Sequence, residues 1–209
     1  MNRLVATLLI TLGCSFTLGC SFTLHADDWK PEPGFISLFN GTDLTGWCFR
    51  EKTGKDDPNT GAILAKQDGK TEAADAGRYI VRNGVIAVTF PDEADKLTGQ
   101  LYTVAEFPKN FVLKLEFRAS VNADSGIFIR KPQLQCRDYL VAGPYLELKQ
   151  YKPQEWNQIE VTVKDGVAQC TCNGEILEAA LALPANGPIG LEGDRGVMEY
   201  RRIRIKEMP

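Results

Sequence analysis

The sequence predicts an all-β protein, a sandwich or barrel of antiparallel strands. Three observations lead there. Short apolar runs recur along residues 35–206, and several alternate strictly between apolar and polar residues, the period of a half-buried strand. Consecutive runs are joined by Asn83-Gly84, Asp165-Gly166 and Asn173-Gly174, the dipeptides that favour tight hairpins. Helical periodicity is nearly absent: residues 178–183 allow one helical turn at most, stopped by Pro184.

The first 26 residues stand apart from the fold. Arg3 supplies a positive start, residues 4–24 are apolar, and Leu24-His25-Ala26 precedes two aspartates. That is the pattern of a secretory signal peptide cleaved after Ala26. Leu-Gly-Cys triplets ending at Cys14 and Cys20 resemble a lipoprotein box, but Thr stands three residues before each Cys where an aliphatic residue is usual. Plain export to the periplasm or exterior is therefore expected over lipid anchoring. No later apolar run reaches the ~18 residues of a membrane span.

Residues 27–34 form a Pro-rich leader to a single domain over 35–209. A strand over 35–39 stops at Asn40-Gly41. Residues 50–77 are charged, Gly-rich and without periodicity, and predict a long loop. Strands then follow at 79–82, 85–90, 101–104 and 111–118, the last placing Phe111, Leu113, Leu115 and Phe117 on one face. Further strands are expected at 159–164, 167–172, 175–178, 187–192 and 198–206.

The formal net charge of −3 offers no general attraction for nucleic acid, and the basic strip at Arg201, Arg202, Arg204 and Lys206 fits a solvated strand face. The one histidine, His25, lies in the leader peptide, so residues 27–209 hold no imidazole for a Ser-His-Asp mechanism or a His-based zinc site. Catalysis must rest on carboxylates, Lys, Arg, Tyr, Cys or an oxygen-ligated metal. In an exported protein, Cys48, Cys136, Cys170 and Cys172 are expected to pair as disulfides, with three connectivities open; a zinc site of all four thiolates is the competing reading, though the usual Cys-x-x-Cys spacing is missing.

The densest polar cluster is residues 117–139, FRASVNADSGIFIRKPQLQCRDY. Gln133, Gln135 and Arg137 alternate with Leu134 and Cys136, so one strand face carries amides and a guanidinium suited to sugar hydroxyls, or simply to solvent. Candidate acids are Asp124, Asp138, Glu147, Glu192 and Asp194; glycoside cleavage commonly pairs two such groups. Trp47 and Trp156 are candidate stacking platforms, with burial in the core as the alternative.

At these residues the chain resembles a known family. Residues 34–47 (GFISLFNGTDLTGW), 111–118 (FVLKLEFR), 124–130 (DSGIFIR), 155–157 (EWN), 187–192 (GPIGLE) and 200–205 (YRRIRI) follow in the order of the exported bacterial 3-keto-disaccharide hydrolase domain family. The resemblance implies a concanavalin A-like jelly-roll β-sandwich of two antiparallel sheets. It implies a carbohydrate ligand and cleavage of 3-keto-glycosides by elimination and hydration. It further implies Asp124, Arg130 and Asp138 as catalytic groups. Gln133, Gln135, Arg137, Trp156, Glu192, Asp194 and Arg195 would bind substrate, with a divalent metal as an open cofactor. Gln133 stands where the family commonly has Glu, Asp124 where Asn is frequent, and Asp194-Arg195 where His is common. A non-catalytic glycan-binding module of the same fold is the alternative.

Overall fold

Turn chemistry and alternation place the strands, which the computed structural model of the chain describes over residues 29–51, 61–67, 73–74, 77–89, 100–138 and 143–209. Both central residues of Asn83-Gly84, Asp165-Gly166 and Asn173-Gly174 have positive φ, the geometry that two-residue hairpins require. The strand expected at 85–90 is described to Val88; Phe90 and the leader peptide lie outside the described residues.

Among the described residues, fifteen strands pair in two antiparallel sheets. The first contains β1 (Ile36–Ser37), β4 (Ala73–Ala74), β5 (Tyr79–Arg82), β6 (Val85–Val88), β8 (Phe111–Ala119), β11 (Asn157–Lys164), β12 (Val167–Cys172), β13 (Glu175–Ala182) and β15 (Met198–Glu207). The second contains β2 (Trp47–Arg50), β3 (Ile63–Gln67), β7 (Gln100–Thr103), β9 (Asp124–Ile129), β10 (Gln133–Arg137) and β14 (Ile189–Glu192), in the order β10-β9-β14-β7-β2-β3. This is the concanavalin A-like jelly roll.

The core lies between the sheets. β8 alternates as its sequence predicts, burying Phe111, Leu113, Leu115 and Phe117 completely. The second sheet answers with Trp47, Leu101, Ile127, Ile129, Ile189 and Leu191. Each such side chain stabilises the fold by about 1.5–3 kcal/mol. Trp47 is thus a core residue, its indole N–H donating to Leu38 O at 3.0 Å.

Three expectations are corrected. Residues 50–77 are not simply a loop: β3 extends the second sheet beside β2, and β4 extends the first beside β5. Residues 178–182 continue β13 instead of forming a helical turn, because pairing with β12 satisfies their backbone groups, and Leu183 N donates to Gly166 O beyond the strand. The four cysteines are free thiols, all buried. Burial pushes the Cys170 and Cys172 thiols up to about 12.

The Pro-rich leader is not idle. Arg204 Nε and Nη2 donate to both oxygens of Glu32 at 2.5 and 2.7 Å. The hydrogen bond from Arg204 holds the Glu32 carboxyl down at about 2. β15 also carries a bulge between Arg201 and Arg204, with Arg202 at a φ of 53°.

Candidate functional site

The outer face of the six-stranded sheet is built in rows, because strand pairing aligns every second residue of each strand. In the first row Arg137 pairs with Asp124, and Asp124 bridges to Arg195. In the second, Gln135 pairs with Gly126, and Glu192 pairs with Gln100. Glu192 comes opposite Gly126 by continuation of the register in which Leu191 meets Ile127. The third row runs Gln133, Phe128, Gly190, Tyr102, Cys48, Lys66. Gln100, Tyr102, Phe128, Gly126 and Gly190 were not singled out by sequence reasoning; only the row geometry joins them to the amides.

Two glycines let this face close up. A Cβ at Gly126 would stand 2.6 Å from Gln133 Nε2, so glycine allows the Gln133 side chain to cross β9 and reach β14. A Cβ at Gly190 would collide with the Tyr102 ring, which lies against bare β14 backbone. Tyr102 and Phe128 then meet with centroids 5.8 Å apart at 41°, forming a buried aromatic floor with Cys48.

Glu192 is the centre of the polar part. Gln133 Nε2 donates to its Oε2, and Gln100 Nε2 donates to its Oε1 at 3.3 Å. Gln135 Nε2 donates in turn to Gln133 Oε1 at 3.0 Å. The backbone beneath is fixed: Ser125 Oγ donates to Glu192 O at 2.7 Å, and the Tyr200 hydroxyl reaches the same oxygen at 3.1 Å. Burial raises the Glu192 carboxyl from 4.5 to about 7, and the charges of Asp194 and Asp124 push the same way. The amides of Gln100 and Gln133 oppose this without cancelling it. A carboxyl so poised takes up or gives a proton near neutrality.

Asp124 is held by two guanidiniums. Arg137 Nε donates to its Oδ1, and Arg195 Nη2 lies 3.6 Å from its Oδ2. Arg195 is the looser partner, with its side chain 59% exposed on the turn that also carries Asp194. The structure thus brings together Asp124, Gln133, Gln135, Arg137, Glu192, Asp194 and Arg195.

Three expected site residues are elsewhere. Arg130 is buried, and its guanidinium donates to the backbone carbonyls of Phe107, Pro184 and Lys109 at 2.7–2.8 Å, so it ties loops together and has no turn toward the amide face. Asp138 is fully buried, accepting from Asn122 N at 2.9 Å and Gln154 Nε2 at 2.8 Å; its oxygens brace a turn. Trp156 lies on the outer face of the other sheet, between the guanidiniums of Arg118 and Arg201 at 4.8 and 3.9 Å. Charge and aromaticity are visible in sequence; burial and the choice of sheet are not.

The divalent metal left open by the sequence does not fit this face. Among the described residues no group of three or more His, Cys, Asp or Glu side chains is placed to hold a metal ion, and Asp124 is already committed to Arg137 and Arg195. No helix of the described residues is long and apolar enough to cross a membrane.

Comparison with solved structures recovers the same architecture. A candidate glycosyl hydrolase from Parabacteroides distasonis ATCC 8503 superposes with a TM-score of 0.61 at 19% identity, covering 84% of this chain and 95% of that one. A second candidate glycosyl hydrolase from the same organism gives 0.51 at 18% identity, over 65% and 93%. An alginate lyase from Corynebacterium sp. gives 0.47 at 11% identity, over 85% and 100%. For the two Parabacteroides proteins, at these identities, the likeness is one of fold. None of the curated proteins matches the sequence. The sequence itself carries the assignment further: the 3-keto-alpha-glucoside-1,2-lyase-like domain model matches residues 34–206, spanning both sheets and every group on the amide face, and the chain belongs to that family.

Proposed function

We propose that the protein cleaves glycosides whose sugar is oxidised at C3, by elimination followed by hydration, with Glu192 as the base. The observation that carries this reading is a buried carboxyl set between two amides beside an aromatic pair, where burial pushes it up to about 7. Family membership at the coarser level, a carbohydrate-active domain, supports it.

The chemistry follows from the ketone. A carbonyl at C3 acidifies the hydrogen on C2, and ionised Glu192 takes that proton. The electron pair left on C2 is delocalised onto the C3 oxygen and then forms a C1–C2 double bond as the C1–O bond to the leaving group breaks. The departing oxygen receives a proton from neutral Glu192, and water adding across C1 and C2 completes hydrolysis. Arg195, exposed and loosely held by Asp124, is the cation able to approach the C3 oxygen as charge develops there. Gln135 and Gln133 hold Glu192 in register. No step is routed through a metal. The apolar leader peptide supports export as the setting, which N-terminal sequencing of the mature protein beginning at Asp27 would test.

The test is release of nitrophenol from a nitrophenyl 3-keto-α-glucoside, followed from pH 5 to 9. Release should rise with pH through about 7 as Glu192 ionises. In Glu192→Gln it should fall by about 10²–10⁴-fold, the usual weight of a general base. A flat profile, or full activity in that variant, removes Glu192 from the mechanism. Binding of an unmodified glycan with no release by the wild type makes the domain a binding module.

A further inference from the structure

A cavity of about 210 Å³ opens against the outer face of the nine-stranded sheet, away from Glu192. Four separate pieces of chain wall it. The leader gives Trp29, the segment after β1 gives Phe39 and Asn40, the β5–β6 turn gives Asn83, and β15 gives Arg201 and Arg202.

The bulge in β15 is what furnishes this cavity. Consecutive strand residues normally face opposite ways. With Arg202 at a φ of 53°, Arg201 and Arg202 instead lie on the same side and bond the two oxygens of one carboxylate. Arg201 Nε donates to Glu116 Oε2 at 2.7 Å and Arg202 Nη1 to Oε1 at 3.0 Å. Ile203 then returns to the core. Bulges commonly re-aim side chains beside functional sites, and a left-handed non-glycine residue is a strain that such sites retain.

The remaining walls supply complementary chemistry. Arg201 packs its guanidinium on the Trp156 ring and commits only Nε to Glu116, leaving its two terminal amino groups without a hydrogen-bond partner among the described residues. The Asn83 carboxamide, exposed at its turn, likewise has none there and can both donate and accept. The guanidiniums of Arg204 and Arg202 lie over the Trp29 ring, 5.3 and 5.9 Å from its centre, so a sugar would stack on the opposite face, and the Glu32–Arg204 pair pins the leader that carries it. A flat indole, an open guanidinium fork and a carboxamide are the groups that hold a sugar ring: its C–H face on the aromatic surface, its hydroxyls on the polar groups. The volume is below the ~300–1,000 Å³ of larger small-molecule sites, which suits one ring.

We propose that this cavity is a second carbohydrate site, holding a single pyranose unit of a glycan on the sheet opposite the Glu192 face. It goes beyond the catalytic reading and stands without it.

The test is a titration of the mature protein with methyl α-glucoside, methyl β-glucoside and cellobiose, followed by tryptophan fluorescence and calorimetry. Trp29→Ala removes the stacking surface. Asn83→Gly removes the carboxamide while keeping a residue suited to positive φ, so the hairpin survives. Saturable binding with a fluorescence change is expected. It should be lost in Trp29→Ala and weakened roughly fivefold in Asn83→Gly, the loss of one hydrogen bond. Glu192→Gln should leave this event intact even if the catalytic reading fails. No saturable binding of any of the three sugars overturns the proposal, as does binding indifferent to both cavity variants or abolished by Glu192→Gln. Saturable binding of inorganic phosphate in place of sugar also overturns it.

Discussion

Glu192→Gln should make the protein more stable, and only at higher pH. In the folded chain Glu192 titrates at about 7 against an ordinary 4.5. Between those values the folded state keeps a proton that the unfolded state has released, so stability falls as pH rises from about 4.5 to about 7 and stays lower above it. At about 1.4 kcal/mol for each tenfold change in proton affinity, the penalty is roughly 3 kcal/mol at pH 8. Glutamine carries no charge to desolvate. Its oxygen can accept from Gln133, and its amino group can donate to Gln100 Oε1, which is buried without a partner, once the Gln100 amide turns over. Urea unfolding at pH 4 and pH 8 reads the difference. The variant should gain about 2–3 kcal/mol at pH 8 and close to nothing at pH 4. Equal effects at both pH values, or a loss at pH 8, would refute the argument that burial of this carboxylate is what raises its proton affinity.

Other perturbations separate scaffold from site. Arg130→Met strands three carbonyl oxygens and should destabilise the fold by at least about 3 kcal/mol in urea unfolding, while the pH at which activity rises stays that set by Glu192. Gly190→Ala drives a methyl into the Tyr102 ring; about 1–3 kcal/mol of stability should be lost, together with glycan binding on that face, as measured by unfolding and calorimetry. Cys48, Cys136, Cys170 and Cys172 should be silent to a thiol reagent in the folded protein and all react after denaturation, since each is buried and burial raises each thiol.

Much of this molecule is local, and what is local was legible. Asn83-Gly84, Asp165-Gly166 and Asn173-Gly174 specify hairpins because their positive φ values are available cheaply to these residues alone. Alternation in 111–119 and 133–137 specifies which side chains share a face, because a pleated strand leaves no other choice. That is why Gln133, Gln135 and Arg137 could be set side by side from sequence. The tertiary structure decided the rest. Glu192 meets Gln133 and Gln100 only through a sheet order that joins residues 59 and 92 positions apart, and no local pattern encodes that pairing. Arg130 and Asp138 looked like chemistry because their charge is written in the sequence. Their burial, and the backbone groups that consume them, are not. The same physics made Glu192 the functional candidate: distant strands remove its carboxylate from water, and that burial is the main cause raising its proton affinity toward neutrality.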